Sequence, residues 1–412
     1  MSRSRGSIYP EERTRVAAAP VDGATATVWE ADRHLARLLL TRMGRPPLRL
    51  VLWNGEAIEV TSAPPRWTVR LADRLTLLRI MWQPDPAFGD AYADGRVCVE
   101  GDLVSLLEMA YRVTTTTRSG LRPRSRNTQA GSRRNIHHHY DIGNDFYARW
   151  LDEQMLYTCA YFRDPDMSLE AAQVAKMDHV CRKLQLQPGQ RVIEAGCGWG
   201  ALALHMARHY GVTVQAYNIS REQIACARQR AEREGMTDRV RFIEDDYRNI
   251  TGTCDAFVSV GMLEHVGLEH YRELGGVIDR CLTAEGRGLI HTIGRHRPAR
   301  LSRWIERNIF PGAEPPTLRQ MMDIFEPYDL CVLDVENLRL HYARTLEHWL
   351  QRFEAARHEV ATMFDERFVR MWRLYLAGST AAFTTGTLQL YQVVFARHAD
   401  NTVPWTRRHV YE

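Results

Sequence analysis

The sequence predicts an α/β fold, a Rossmann-like and mainly parallel sheet, preceded by a small N-terminal α+β domain. Three observations carry this. Between Leu169 and Thr292, short apolar runs alternate with stretches of helical periodicity, a pattern that implies parallel strands joined by right-handed helical crossovers. A glycine-rich turn, Glu194–Gly200, stands between the first of these strands and the helix after it. Residues 1–117 follow a different, mixed pattern, and a stretch rich in Thr, Ser, Pro and Arg separates them from the rest.

A chain of 412 residues suits two domains. In the first, residues 1–117, Val51–Trp53 and Ala57–Val60 read as short strands. Arg66–Leu71 and Gly95–Glu100 alternate polar and apolar residues, and Leu103–Val113 reads as a helix. Residues 118–134 read as a basic flexible linker carrying Arg118, Arg122, Arg124, Arg126, Arg133 and Arg134. The linker is a solvated connector or a segment drawn to anionic lipid, and no interleaved aromatics suggest nucleic acid.

The third segment, residues 135–412, carries the alternation. Leu169–Leu186 has Val174, Met177, Val180, Cys181 and Leu184 at the spacing of one helical face, and Pro188-Gly189 ends it. Strands follow at Arg191–Ala195, Val212–Tyr217, Val240–Ile243, Ala256–Val260 and Gly288–Thr292. The helices between them are Gly200–Tyr210, Glu222–Glu234 and Tyr271–Leu282. In such a sheet the ligand lies beyond the carboxyl ends of the strands. Met371–Phe395 is apolar and aromatic, with Arg370 and Arg373 beside it, and reads as C-terminal helices lining a lipid cavity.

Composition excludes several classes. A net charge of +4 against 54 basic and 50 acidic residues argues neither for nor against a nucleic-acid partner. The basic residues are arginines apart from Lys176 and Lys183. Eight scattered cysteines without a C-x-x-C pair fit neither a disulfide scaffold nor a zinc site. His137-His138-His139 are consecutive and cannot easily converge on one ion, so no metal is expected. No apolar run is long enough to span a bilayer, and Met1–Pro20 has no apolar core of a signal peptide. A cytoplasmic protein is the expectation.

The turn reads Glu194-Ala195-Gly196-Cys197-Gly198-Trp199-Gly200. Its glycines permit a tight turn and close approach of backbone to a ligand. The spacing is not the G-x-G-x-x-G of a dinucleotide site, and no Gly-Lys-Ser/Thr follows, which excludes a P-loop. The second strand ends in Tyr217-Asn218-Ile219-Ser220, without the ribose-binding acid common at that place. Asn218 can hydrogen-bond a ribose hydroxyl, with Gln223 in reach. Asp245-Asp246-Tyr247, after the third strand, either positions an adenine or forms a solvated acidic loop.

Several motifs agree in order: His139–Phe146, Tyr157-Thr158-Cys159-Ala160-Tyr161-Phe162, the Gly-Cys-Gly-Trp-Gly turn, Glu264-His265-Val266-Gly267 and His291-Thr292-Ile293-Gly294. Together they closely resemble the cyclopropane-fatty-acyl-phospholipid synthases, a family that includes the mycolic-acid cyclopropane synthases and related fatty-acid methyltransferases. The resemblance runs from about Asn135 to the C-terminus. It implies a class I S-adenosylmethionine-dependent methyltransferase fold, with S-adenosylmethionine bound by Tyr157, Thr158, Glu194, Gly196, Gly198, Asn218, Ile219, Gln223, Asp246 and Tyr247. The implied reaction moves a methyl group onto the cis double bond of an unsaturated acyl chain. An alkene is a poor nucleophile, so the donor must be held in line with it, and the resulting carbocation closes to a ring only if a base removes a proton.

In the family that base is a bound bicarbonate ion. The matching positions are Cys159 and Ile293, through their backbone, and Glu264, His291 and Tyr342, through their side chains. The N-terminal domain resembles that of the phospholipid-acting branch. The expected partners are therefore phospholipid acyl chains, the inner membrane surface, bound peripherally and reversibly, and a second copy in a homodimer. Alternatives are a fatty-acyl C-methyltransferase giving methyl-branched chains, a non-catalytic lipid-binding homologue, or a methyltransferase for small molecules or nucleic acid. The last would need recognition elements, such as an Asn-Pro-Pro-Tyr-like motif, that the chain lacks.

Overall fold

A computed structural model describes residues 27–114 and 142–411. The linker residues 118–134 and the histidines His137–His139 lie outside the described residues. The chain forms two compact units. The first comprises residues 27–114, Ser302–Trp304 and Arg357–Thr385; the second comprises residues 142–301, Ile305–Ala356 and residues 386–411.

In the first unit β1 (Leu48–Val51), β2 (Ala57–Ile58), β3 (Trp67–Leu71) and β4 (Val97–Glu100) form a sheet of order β2-β1-β3-β4. β1 and β3 are parallel and the other pairs antiparallel. Three helices here, Glu30–Arg42, Arg74–Trp82 and Pro84–Ala93, had no clear signal in the sequence. The helix Arg74–Trp82 shows why: it buries Leu77 and Ile80 yet exposes Leu75, Leu78 and Trp82, so its apolar residues circle the axis instead of marking one face.

The stretch Met371–Phe395, read as a run of lipid-cavity helices in the third segment, divides in two. The helix Glu366–Thr384 belongs to the first unit, where it packs on the helices Leu103–Thr114 and Pro84–Ala93. It buries Trp372, Tyr375, Leu376 and Phe383 in that unit's core. The residues beyond it are a strand, because Gln389–Arg397 is β-branched, aromatic and buried along nearly its whole length. Arg370 is engaged within the first unit. Its guanidinium donates to the carbonyls of Tyr92 and Val97 at 2.6 and 2.7 Å and stacks 4.4 Å over the Tyr92 ring.

The second unit is built on seven strands: β5 (Arg191–Ala195), β6 (Thr213–Asn218), β7 (Val240–Glu244), β8 (Cys254–Val260), β9 (Leu282–Gly294), β10 (Leu330–Asn337) and β11 (Gln389–Arg397). Their order is β10-β11-β9-β8-β5-β6-β7. The five strands β5–β9 are mutually parallel, and β11 and β10 add antiparallel pairs at one end. The parallel strands read as short continuous apolar runs because both faces are covered, as in β8, buried from Ala256 to Val260. Ser220 caps the helix Arg221–Arg233 by accepting the Gln223 N–H at 3.4 Å, which fixes where β6 stops.

The helix Leu169–Leu184 departs from its simple amphipathic reading. Met177, Val180, Cys181 and Leu184 are buried as expected, but Val174 is exposed. The buried face instead includes Gln173, Lys176, His179 and Lys183. Among the described residues no helix is long and apolar enough to cross a membrane.

Candidate active site

The second unit carries a cavity at the carboxyl ends of β5, β6 and β8. Its floor is the turn after β5. The Gly196 and Cys197 N–H groups both donate to the Tyr217 carbonyl, at 2.9 and 3.1 Å, and so tie the turn to the end of β6. Gly196 has φ +87°, and a Cβ there would sit 2.9 Å from Met262 Cβ. Gly198 has φ +53° with open space where a Cβ would project, on the cavity wall. Gly196 is therefore needed for packing and Gly198 to leave room for a ligand.

Tyr157, Thr158, Glu194, Gly196, Gly198, Asn218, Ile219, Gln223, Asp246 and Tyr247 all line this one cavity. At its β6 end Asn218 Nδ2 donates to Gln223 Oε1 at 2.8 Å, so the two amides form a linked pair where many such folds carry an acid. Asp246 is buried, and its carboxylate accepts the Arg248 N–H at 3.0 Å, starting the 3₁₀ turn Tyr247–Asn249. That carboxylate organises the loop that presents Tyr247. Burial pushes the Tyr247 phenol up to about 12, so it stays a neutral ring on the wall.

The opposite wall, Met155–Thr158, is held by polar groups that sequence reasoning missed. The buried Asp152 carboxylate accepts the Gln154 and Leu156 N–H groups at 3.0 Å each. Gln173 Nε2 donates to the Leu156 and Thr158 carbonyls at 3.2 and 2.9 Å, and Lys176 Nζ donates to Thr158 Oγ1 at 2.9 Å. Gln173 and Lys176 hid inside a helix read for its apolar face. The available signal was Lys176 itself, one of two lysines in an arginine-rich chain.

Glu194 closes β5 and is 2 % exposed. Among the described residues its Oε2 has no hydrogen-bond partner, and burial pushes its carboxyl up to about 8 against the pull of Lys176. A buried orphan oxygen on a cavity wall is costly, about 1–3 kcal/mol, and it fits a ligand that brings a donor.

None of Cys159, Glu264, His291 or Tyr342 lies on this wall, but their immediate neighbours Thr158, Gly261, Met262 and His265 do. Glu264 sits in the turn Leu263–His265 after β8, and its Oε1 accepts the Ile293 N–H at 2.5 Å. The Ile293 amide, expected to serve the anion, is thus engaged by Glu264. Burial raises the Glu264 carboxyl to about 7, and its Oε2 has no partner among the described residues.

His291 lies on β9, paired across the sheet with Gln392 on β11. The Gln392 amide meets its Nδ1 at 3.1 Å, and the Nε2 is buried without a partner among the described residues. Burial holds this imidazole neutral, with its pKa well below the usual histidine value. The Gly261 N–H donates to the His291 carbonyl at 2.8 Å, joining the strand to the loop that carries Glu264.

Cys159 is fully buried, and burial pushes its thiol far up, so it is not a thiolate nucleophile. Its sulfur lies 3.9 Å from the Leu338 carbonyl, which also accepts the Tyr342 N–H at 3.1 Å at the start of the helix Arg339–Ala355. The Tyr342 ring packs edge-on against Trp349, which in turn meets Tyr157 of the cavity wall at 5.3 Å. The structure thus joins Glu264 to Ile293, and Cys159 to Tyr342 through Leu338.

A glycine turn after β5, an amide pair at the end of β6, an acidic turn after β7 and a buried acid next to the end of β5 line one cavity on a mainly parallel sheet. Fold and site together define a class I S-adenosylmethionine-dependent methyltransferase. Residues 127–393 match the mycolic acid cyclopropane synthetase family, and residues 36–119 match a domain family of unknown function. The chain is 38% identical to the cyclopropane-fatty-acyl-phospholipid synthase of Escherichia coli, over 89% of this chain and 94% of that protein. It is 37% identical to a probable fatty acid methyltransferase of Pseudomonas putida, over 89% of this chain and 96% of that one. Among solved structures, the mycolic acid cyclopropane synthase CmaA1 with S-adenosylhomocysteine and CTAB matches with a TM-score of 0.61 and 30% identity. That match covers 64% of this chain and 97% of the other. The chain belongs to the cyclopropane synthase family.

Proposed function

We propose that this protein builds a cyclopropane ring on the cis double bond of unsaturated phospholipid acyl chains, using S-adenosylmethionine and a bound bicarbonate ion as base. The observation that carries the reading is a pair of buried orphan atoms, Glu264 Oε2 and His291 Nε2, beside the donor cavity. Leaving a buried polar atom unpaired is costly, and an acceptor-rich oxyanion suits both groups.

The donor supplies an electrophilic methyl group. The chain's own residues do the rest. With Gln392 donating to Nδ1, neutral His291 carries its proton on Nε2 and offers a hydrogen bond to an anion. Glu264, raised to about 7, holds a proton at neutral pH for a substantial fraction of the time. It shares that proton with the anion where a bare carboxylate would repel it. Ile293 contributes by fixing Oε1, which frees Oε2 for the ion. Tyr342 donates its hydroxyl, and Cys159 acts through its backbone. The buried rings of Phe146, Tyr147, Trp150 and Trp349 keep water from a cationic substrate.

We further propose reversible attachment to an anionic membrane surface. In the first unit Leu75, Leu78 and Trp82 share one exposed helix face, with Arg79 exposed beside them, a set suited to an interfacial helix. The test of the reaction is turnover on vesicles of cis-unsaturated phospholipid with and without bicarbonate. Ring product that needs bicarbonate supports the proposal. A methyl-branched product, or turnover indifferent to bicarbonate, contradicts it.

A further inference from the structure

The chain holds 54 lysines and arginines, and only Lys176 and Lys183 are lysines. Both are buried, at 0 % and 3 % exposure. Lys183 is accounted for by Glu336, which it meets at 2.6 Å and shares with His179. Lys176 has no such salt bridge among the described residues. Its one hydrogen bond among them goes to Thr158 Oγ1, at 2.9 Å, so its ammonium keeps donors to spare.

Lys176, Thr158 and Glu194 all line the donor cavity. The wall therefore holds a buried cation, Lys176, and two buried acids, of which Asp246 caps its own loop and Glu194 keeps an Oε2 without a partner among the described residues. Arginine, the default cation of this chain, is a planar fork with a fixed charge, whereas lysine is a compact charge on a flexible stem. A lysine kept here points to a local geometric demand.

We infer that Lys176 is a positioning residue for the amino-acid end of the donor, orienting the Thr158 hydroxyl and matching the ligand's α-carboxylate while Glu194 matches its α-ammonium. The inference rests on the assignment of this cavity to S-adenosylmethionine. Burial pushes Lys176 down to about 8 and Glu194 up to about 8, each toward its neutral form. A zwitterionic ligand brings the opposite charge to each and draws both back to the charged state.

The experiment is calorimetric binding of two probes, S-adenosylhomocysteine and 5′-methylthioadenosine. The second keeps the adenosine and the sulfur but lacks the amino-acid end. Lys176→Met should weaken S-adenosylhomocysteine about 10–100-fold, the worth of a hydrogen bond to a charged group, and leave methylthioadenosine unchanged. Thr158→Val, which removes only the hydroxyl, should show the same selectivity to a smaller degree and guards against a Lys176 variant that fails to fold. Equal loss of both probes would mean a purely structural lysine and would overturn the inference, as would no loss of either. Wild-type protein that binds neither probe would instead overturn the cavity assignment, and this inference with it.

Discussion

The cavity at the strand ends and the residues proposed to hold the anion are built in different ways. The cavity is mostly backbone and strand ends: a glycine turn, two linked amides and a capped acidic turn, all within Gly196–Tyr247, plus the Met155–Thr158 wall, with Glu194 Oε2 as its one orphaned carboxylate oxygen among the described residues. The buried set is mostly side chains, from Cys159 to Tyr342, and it leaves two polar atoms without described partners. Backbone sites can be shaped before a ligand arrives. A site of orphaned side chains is completed only by what it binds. Donor binding and base chemistry should therefore be separable by mutation.

Glu264→Gln is the sharpest test of that separation. It keeps an oxygen for the Ile293 N–H but removes the shared proton, so ring formation should fall about 10²–10⁴-fold. Donor affinity measured by calorimetry should stay unchanged; a loss of donor binding with the fold intact would break the contrast. Gly198→Val should do the reverse. At φ +53° a β-branched residue is strained, and its side chain would enter the space on the cavity wall. Donor affinity should drop at least about 100-fold while circular dichroism stays native.

Smaller effects sharpen the same contrast. Gln392→Leu removes the partner that orients His291, so the ring-forming rate should fall about tenfold, the worth of one hydrogen bond. Stability should report the burial of Glu264. Its folded value of about 7 lies above the ordinary 4.5, so its contribution is complete at low pH and is lost as pH rises through 7. Glu264→Gln has no such loss. Its thermal stability should therefore gain on wild type between about pH 5 and 7.5, by of order 1 kcal/mol per pH unit. A constant difference across that range would mean that Glu264 does not titrate there. Finally, Trp82→Ser should weaken binding to anionic vesicles several-fold in a co-sedimentation assay, without changing donor affinity.

How much of this was legible in the sequence follows the same division. The parallel strands announced themselves because a strand covered on both faces must be apolar throughout, and such runs recur between helical stretches. The turn after β5 stood out because three glycines at alternate positions do not belong in a strand or a helix. β10 and β11 were not legible. β10 is only partly buried and its pattern is weak, and β11 was absorbed into the aromatic stretch that begins in the helix Glu366–Thr384. Asp152, Gln173, Lys176 and Gln392 were missed for one physical reason. Each is a buried polar residue: Gln173, Lys176 and Gln392 serve contacts distant in sequence, and Asp152 ties an irregular turn, and hydrophobic periodicity registers neither. Cys159, Glu264, His291 and Tyr342 came from family resemblance, since no local pattern distinguishes them from packing.

The central claim is that this chain turns acyl double bonds into rings. Mass spectrometry of the phospholipids of a host expressing it tests that claim most directly. The expected result is acyl chains heavier by one methylene, with the alkene signal lost and a ring in its place. A branched alkene, an exomethylene product or an unchanged lipid profile would contradict it.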